Sequence, residues 1–487
     1  MTPPLRQLTR QTLVYGAGNV LTRLVTFLLL PIFTNVLTPR EYGLTTLLYV
    51  FLGFMNIIYH YGLDAAFMRY YNEADDSDAR QSLFSTALWL SLGTSCVLSF
   101  LILSGSSGLA SLLLGNGQYG HLLQLAAGIL LFDAVSHVPF SLLRLKGRAT
   151  FFVSIKLLNV VTTLGMNIYL VVIKGMGLDG IFLSVAAASA VTTLSVLAAS
   201  GESLQLTFNR TSVNSLLRFG FPFLPAGLAS ITMESIDRYI LSGLTDTATV
   251  GIYTAGYKLG IFMLLITTAF QYAWQPFFLK AGNNSESKAL FARVFNYFMV
   301  ITFFVWTLLT LFISEIFQLN VAGVSLIGPA FVEAQSIVPI ILLAYVFQGA
   351  YLNFLPGIYF EEKTKYIAAI TGLSAAVNIV VNFTLIPSFG MTGAAYATLA
   401  GHGTMAITTY FTSKKLFPIP YDWFRLFRAV TAVVIALGTA HLLDYTLPGR
   451  IAGAAAFIGA LFLLKVITLG RLKNLVSIFM PFAKETK

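Results

Sequence analysis

Long apolar stretches separated by short polar segments dominate the sequence. A bilayer core about 30 Å thick needs about 20 apolar residues in a helix. On this scale the chain contains about fourteen runs that fit transmembrane helices. The runs lie near 12–36, 43–68, 82–104, 121–143, 150–173, 180–200, 214–241, 249–278, 293–314, 334–358, 365–386, 391–412, 426–443 and 451–469. The pattern therefore predicts an all-α membrane protein with about fourteen transmembrane helices.

The segments that join these runs are alternately rich and poor in basic residues. With the N-terminus in the cytoplasm, twenty-two Lys and Arg residues fall on inner segments and three on outer ones, namely Arg40, Lys174 and Arg450. Because cytoplasmic loops are enriched in basic residues, both termini are predicted to be cytoplasmic. The longest outer segments, 104–120 and 315–333, are too short for a folded domain.

The composition excludes a soluble protein. Hydrophobic residues make up 56% of the chain and charged residues 10%, with a mean hydropathy of +0.78, whereas soluble domains carry about 25% charged residues. The net charge of +10 is scattered over short loops, which favours contact with anionic lipid headgroups over nucleic acid. The single cysteine, Cys96, allows no internal disulfide. No cleavable signal peptide is expected, because the first apolar run is too long and contains Arg23.

Two pairs of segments repeat along the chain. Segments 148–180 and 363–393 share a basic start, an apolar run with an internal Asn, and a Gly-containing turn. Segments 42–44 and 250–253 form a second pair, each following a Pro-containing helix. Two pseudo-symmetric six-helix lobes account for these repeats: 1–211 and 212–417, followed by helices 13 and 14 and a cytoplasmic tail in 418–487. Such repeats are typical of transporters, with the substrate path between the lobes.

Three basic residues lie within the predicted spans. An ionisable group at mid-membrane costs roughly 2.5–3.5 kcal/mol on insertion scales. Arg23 and Lys258 fall near half depth of helices 1 and 8, and Lys156 falls in the inner third of helix 5. We predict that they line a cavity for an anionic headgroup, since Arg and Lys donate to such groups. The alternative is that they pair with membrane carboxylates and only hold helices together.

A second set of polar residues is predicted to serve gating or ion coupling. Asp133 and His137, one turn apart, would carry protons because buried carboxylates and imidazoles titrate with their surroundings; a satisfied polar contact is the alternative. Asp64 with Arg69 is predicted as a structural or gate pair at the inner end of helix 2. Opposite charges near the outer end of helix 7 are structural or gating. The full set is Asp64, Arg69, Asp133, His137, Glu234, Asp237 and Arg238.

Motifs of enzymatic chemistry are absent from the sequence. There is no G-x-x-x-x-G-K-[ST] phosphate loop, no His/Cys cluster with metal-ligand spacing and no nucleophile elbow. The sequence therefore predicts a secondary-type transporter rather than an enzyme, with neither a cofactor nor a metal site.

Four stretches resemble a known family. They are 38–43 (TPREYG), 61–70 (YGLDAAFMRY), 219–225 (FGFPFLP) with 237–241 (DRYIL), and 250–253 (VGIY). Together they are similar to the polysaccharide transporters, including Wzx-type flippases, of the multidrug/oligosaccharidyl-lipid/polysaccharide exporter superfamily. The resemblance implies alternating access by two six-helix lobes. It also implies that a polyprenyl-pyrophosphate-linked oligosaccharide moves from the cytoplasmic to the outer leaflet of the bacterial inner membrane.

The expected partners are the lipid-linked oligosaccharide, the phospholipid bilayer and a polysaccharide polymerase complex, with no nucleic acid. Two other functions remain open. An ion-coupled drug or organic-cation exporter of the same superfamily would need unpaired carboxylates in its cavity. A membrane-embedded polysaccharide polymerase or ligase would need a larger external loop.

Overall fold

The computed structural model describes residues 27–321 and 323–467, and these residues are almost entirely helical. The first half contains α1 (described from Phe27 to Val36), α2 (Pro39–His60), α3 (Leu63–Glu73), α4 (Ser77–Ser104), α5 (Ser106–Leu114), α6 (Gly120–Leu145), α7 (Ala149–Asn167), α8 (Gly177–Ser200), α9 (Arg210–Gly220), α10 (Phe223–Leu244) and α11 (Thr247–Leu259). A π-helical turn, Ile168–Ile173, extends α7, and 3-10 turns lie at Gly117–Tyr119 and Gly201–Ser203.

The second half of the described chain is also mainly helical, with one short pair of strands. Its elements are α12 (Ile261–Ala281), α13 (Ser285–Leu311), α14 (Ile313–Gln318), β1 (Asn320–Val321), β2 (Val324–Ser325), a 3-10 segment (Pro329–Ser336), α15 (Val338–Phe354), α16 (Pro356–Phe360), α17 (Lys365–Leu416), α18 (Trp423–Leu442) and α19 (Leu447–Leu463). The two strands pair antiparallel in a short hairpin.

The helices have the lengths that the apolar pattern predicts. In the described residues, nine helical segments are long and apolar enough to cross a membrane, and eleven if the bent pairs α9–α10 and α11–α12 each count as one span. The 52-residue α17 covers two predicted runs and breaks at Gly390, where φ is +53°. The described part of the shorter apolar helix α1 falls within the first run, and α19 overlaps the last run. The all-α membrane fold is confirmed, and fourteen stands as an approximate count.

Local sequence explains where α2 begins and ends. Thr38 caps the helix in a reciprocal box with Glu41, and Pro39 occupies the first helical position, where its missing N–H costs nothing. At the other end Tyr61 and Gly62 both have positive φ, so the chain turns before α3 begins. The helix therefore stops at His60 although the apolar run continues.

Contacts divide the described chain into two compact units. The first comprises the residues up to Lys258 with Asn320–Ala334 and Ala375–Ala397, and the second comprises Leu259–Leu319, Gln335–Ser374 and the residues from Thr398 onward. The lobe boundaries at 211/212 and 417/418 stay a prediction.

The first unit is centred on α6, which packs against α2, α4 and α8. Its core includes Phe67 and Phe84, which are almost completely buried beside Leu142. Polar side chains also occupy the helix contacts: Ser91 of α4 donates to the carbonyl of Ala134 on α6 at 3.0 Å. Small residues and interhelical hydrogen bonds are typical of helix packing in membranes.

The second unit has an aromatic core. Trp274 of α12 stacks against Phe270 and lies edge-on to Phe291 of α13, and its indole donates to the carbonyl of Leu352 at 3.0 Å. Arg425 at the start of α18 donates twice to the carbonyl of Val466, after α19, at 3.0 and 2.6 Å. The Trp274 contacts hold α12, α13 and α15 together, and the Arg425 hydrogen bonds fix the start of α18 against the residues that follow α19.

Candidate functional site

Lys258 lies near the end of α11 against two aromatic rings. Its ammonium nitrogen is 5.2 Å from the centroid of Tyr42 and 6.0 Å from that of Phe33, and both aromatic side chains are buried. Aromatic faces attract cations through their quadrupole. Four ion pairs join side chains in the described part of the chain, and Lys258 belongs to none of them. Its charge is therefore not neutralised by a described carboxylate.

Two glycines bring α11 close enough to α2 for this contact. A Cβ atom on Gly43 would lie 1.8 Å from the carbonyl oxygen of Thr247, and one on Gly251 would lie 2.0 Å from that of Pro39. Neither position tolerates a side chain without backbone movement. The repeat-related segments 42–44 and 250–253 thus pack directly on one another.

A polar cluster forms where α2, α6 and α7 meet. The imidazole of His60, at the end of α2, stacks on that of His137 with centroids 3.8 Å apart and planes inclined by 25°. Asp133, one turn before His137, lies near Ser189 of α8 and interacts electrostatically with Lys156 of α7. The structure therefore brings together Asp133, His137 and Lys156, which the sequence predicts for two different roles. We call His60, Asp133, His137 and Lys156 the histidine cluster.

Lys156 also lies over an aromatic ring. Its ammonium nitrogen is 4.5 Å from the centroid of Phe140, and the charge of Asp133 acts on it. Lys156 thus has different neighbours from Lys258, whose ring contacts are Tyr42 and Phe33. We therefore treat the two lysines as parts of two different sites.

Arg69 pairs with Glu73, not with Asp64 as the sequence suggests. The Arg69 Nε donates to the Glu73 carboxylate at 2.9 Å, and both side chains are about half exposed. The guanidinium also lies 4.7 Å from the ring centroid of Phe219 on α9. Asp64, in the first turn of α3, instead acts electrostatically on His60.

Asp237 and Arg238 form a buried lock between α10 and α11. Their side chains pair at 2.6 Å, and the hydroxyl of Tyr253 donates to the other Asp237 oxygen at 2.6 Å. Arg238 also donates to the backbone carbonyl of Glu234 and lies 4.1 Å from the ring centroid of Tyr257. These contacts are those of a structural pair, whereas the side chain of Glu234 is exposed. A gating role for the three charges stays a prediction.

Arg23 lies outside the described residues, so its predicted place beside Lys258 stays a prediction as well. Sequence reasoning missed His60, although an ionisable residue inside a predicted span is the signal that singled out His137. It also missed the aromatic partners Tyr42, Tyr253 and Tyr257, because ordinary apolar runs contain such residues at similar spacing.

The first unit also contains an apolar groove of about 580 Å³. Its walls come from α2, α4 and the α9–α10 pair, including Trp89, Gly93, Phe208 and Phe221. None of the predicted charged residues lines it. In the described residues no group of three or more His, Cys, Asp or Glu side chains is arranged to hold a metal ion.

The chain resembles known proteins in sequence profile and in fold. Residues 32–322 match the profile of a family described as "Polysaccharide biosynthesis protein". No curated protein matches the sequence significantly. The fold is similar to the lipid II flippase MurJ in an inward closed conformation, with a TM-score of 0.74, 13% identity and coverage of 93% of this chain and 98% of that one.

Two transporters of the MATE family give further fold matches. One, VcmN of Vibrio cholerae, has a TM-score of 0.58 and 15% identity, covering 84% of this chain and 96% of the other. The second, an inward-facing multidrug resistance transporter of the MOP superfamily, has a TM-score of 0.59 and 16% identity, covering 81% and 97%. At such identities the likeness establishes a common fold for a multi-pass membrane protein.

Proposed function

Because this chain belongs to the polysaccharide biosynthesis protein family, we propose that it is a flippase for a lipid-linked oligosaccharide. It moves a polyprenyl-pyrophosphate-linked sugar from the cytoplasmic to the outer leaflet of the bacterial inner membrane, by alternating access and without covalent chemistry. Both termini lie in the cytoplasm. A partnership with a polysaccharide polymerase complex is a further prediction from the sequence.

Lys258 is the observation that carries this proposal. A pyrophosphate headgroup brings about two negative charges, which cannot leave water without partners. Lys258 offers a cation with no described carboxylate beside it, on a helix that closely crosses α2. We propose that its ammonium, together with Arg23, donates to the pyrophosphate oxygens during translocation.

The partners of the buried carboxylates weigh against export of organic cations. A cationic drug needs an unpaired carboxylate, yet the buried carboxylate of Asp237 is held by Arg238 and Tyr253. The carboxylate of Asp133 lies near the hydroxyl of Ser189 and near the ammonium of Lys156. An anionic headgroup suits the free ammonium of Lys258 better than a cation does.

Purified protein in liposomes tests the proposal. A fluorescent polyprenyl-pyrophosphate sugar is placed in one leaflet, and an impermeant quencher reports its arrival in the other. We expect protein-dependent exchange that falls at least tenfold in Lys258→Gln and is largely restored in Lys258→Arg. Lys174→Gln is the matched control, since Lys174 is an exposed lysine that also lies near an aromatic ring, Tyr169.

Each failure has its own meaning. If Lys258→Gln exchanges the probe at the wild-type rate, Lys258 is not part of the binding site. No exchange by the wild type, with efflux of organic cations instead, would support the drug exporter. Conversion of the labelled sugar to longer chains would indicate the polymerase or ligase.

A further inference from the structure

The flippase proposal assigns no role to the stacked pair of His60 and His137. Imidazole is the side chain whose charge changes most readily near neutral pH. Stacking at 3.8 Å places the two rings so close that a charge on one disfavours a charge on the other. The pair therefore accepts one proton more readily than two.

Charged groups surround the pair from several elements. Asp64 reaches it from α3, Asp133 and Arg144 lie along α6, and Lys156 lies on α7. The packed helix α8 contributes the hydroxyl of Ser189, which lies near Asp133. With both rings neutral, the charges of Asp64 and Asp133 balance those of Lys156 and Arg144, so one added proton leaves a single positive charge on the pair, and a second proton would have to be added against that charge.

Two polar atoms near the pair have hydrogen-bonding capacity to spare. The Nε2 of His60 and the Oδ1 of Asn56, one turn earlier on α2, are buried and make no hydrogen bond. Buried polar groups are nearly always hydrogen-bonded, and the Oδ1 of Asn56 is an acceptor, one turn away on the same helix, for an N–H that His60 would gain on protonation.

The ligand types favour a proton over a metal cation. A sodium site needs several oxygen ligands that converge on one point, whereas the stacked pair itself offers ring nitrogens, with the ammonium of Lys156 close by. Lys156 would repel a bound metal ion directly. No group of His, Cys, Asp and Glu side chains in the described ranges is arranged to hold a metal ion.

We propose that His60 and His137 form the coupling site of the transporter, binding one proton between them in each transport cycle. This inference rests on the proposed flippase function and adds its driving ion. An imidazole nitrogen gains the proton on one side of the membrane and releases it on the other, and no other bond forms or breaks. Because the substrate leaves the cytoplasm, inward proton movement drives it by exchange.

A pH gradient across proteoliposomes tests the coupling. The probe starts equally distributed, the membrane potential is clamped at zero, and one pH unit is imposed. One exchanged proton per lipid enriches the probe in the leaflet facing the acidic side by up to about tenfold, since a tenfold proton ratio is one pH unit. This equilibrium is independent of the protein's orientation.

Matched histidine variants locate the site. His60→Gln and His137→Gln should still equilibrate a probe placed in one leaflet, but should show no enrichment under the gradient. His121→Gln should behave as the wild type, because His121 is exposed and pairs with Asp179 at 2.8 Å. Full enrichment in either cluster variant, or enrichment driven by sodium instead, would overturn the proposal.

Lys156→Met gives a second test that does not depend on the folding of the histidine variants. Removing a nearby positive charge favours protonation of the imidazoles. The pH midpoint of driven exchange should therefore move upward, and an unchanged midpoint would overturn the coupling role. A wild type that equilibrates the probe but never enriches it overturns this inference alone, whereas a wild type without exchange overturns the flippase proposal too.

Discussion

Gly43 and Gly251 pack backbone to backbone where α2 crosses α11. A Cβ added to Gly251 would lie 2.0 Å from the carbonyl oxygen of Pro39 and 2.9 Å from the amide nitrogen of Gly43. A Cβ on Gly43 would lie 1.8 Å from the carbonyl oxygen of Thr247. The crossing therefore depends on both glycines, and it sets the distance between Lys258 and Tyr42.

Alanine at either glycine should weaken this crossing. Over-packing of a close contact costs typically about 1–3 kcal/mol, so we expect Gly43→Ala and Gly251→Ala to lower the melting temperature of the purified protein and to reduce flipping. Gly128→Ala is the control, because an added Cβ there would meet nothing within 4 Å. Equal melting temperatures for all three variants would show that the helices do not cross this closely.

The apolar pattern was sufficient to predict the class of fold. Each span is defined by about twenty consecutive residues, so length and hydropathy carry the information locally. The resemblance to polysaccharide transporters is also confirmed by the family match over residues 32–322 and by the fold matches. The kink of α17 at Gly390 was visible too, as the gap between two predicted runs.

The partners of the charged residues could not be predicted in the same way. His60 and His137 are 77 positions apart in the sequence, and only the packing of α2 on α6 makes their rings stack. Arg69 has carboxylates at two spacings, and helix geometry favours Glu73, four residues on, over Asp64, five residues back. Interhelical packing therefore decides which ionisable groups share a site.

The Asp237–Arg238 pair gives a prediction on stability. Both side chains are more than nine-tenths buried, and removing one partner of such a pair leaves an uncompensated charge at a cost of about 3–5 kcal/mol. Arg238→Gln and Asp237→Asn should each lower the melting temperature strongly.

Combining the two substitutions distinguishes a lock from a gate. The double variant should recover part of the loss, because no unpaired charge remains. Additive losses in the double variant would contradict the lock. Normal stability in the single variants, with flipping alone abolished, would favour the predicted gating role.

Arg425 gives a similar prediction for the second unit. Its guanidinium is buried and donates twice to the carbonyl of Val466, and a hydrogen bond to a charged group contributes about 1.5–3 kcal/mol. Arg425→Gln should therefore lower the melting temperature. Arg428→Gln, three residues later on α18, removes the same charge without that bond and should change it less. An equal effect of both variants would attribute the loss to charge rather than to the Val466 contact.

Arg69 allows the stacking and ion-pair contributions to be separated. Its pair with Glu73 is exposed to solvent, and exposed pairs contribute little. Its guanidinium, however, lies 4.7 Å from the ring centroid of Phe219 and so connects α3 with α9, the first helix of the bent pair α9–α10.

We expect Glu73→Gln to leave flipping unchanged, whereas Arg69→Lys should reduce it, because a lysine keeps the charge but cannot stack as a planar group. Phe219→Leu should reproduce the effect of Arg69→Lys, measured by the same quenching assay. If Glu73→Gln impairs flipping while Phe219→Leu does not, the ion pair is the important contact, and the connection between α3 and α9 has been assigned to the wrong partner.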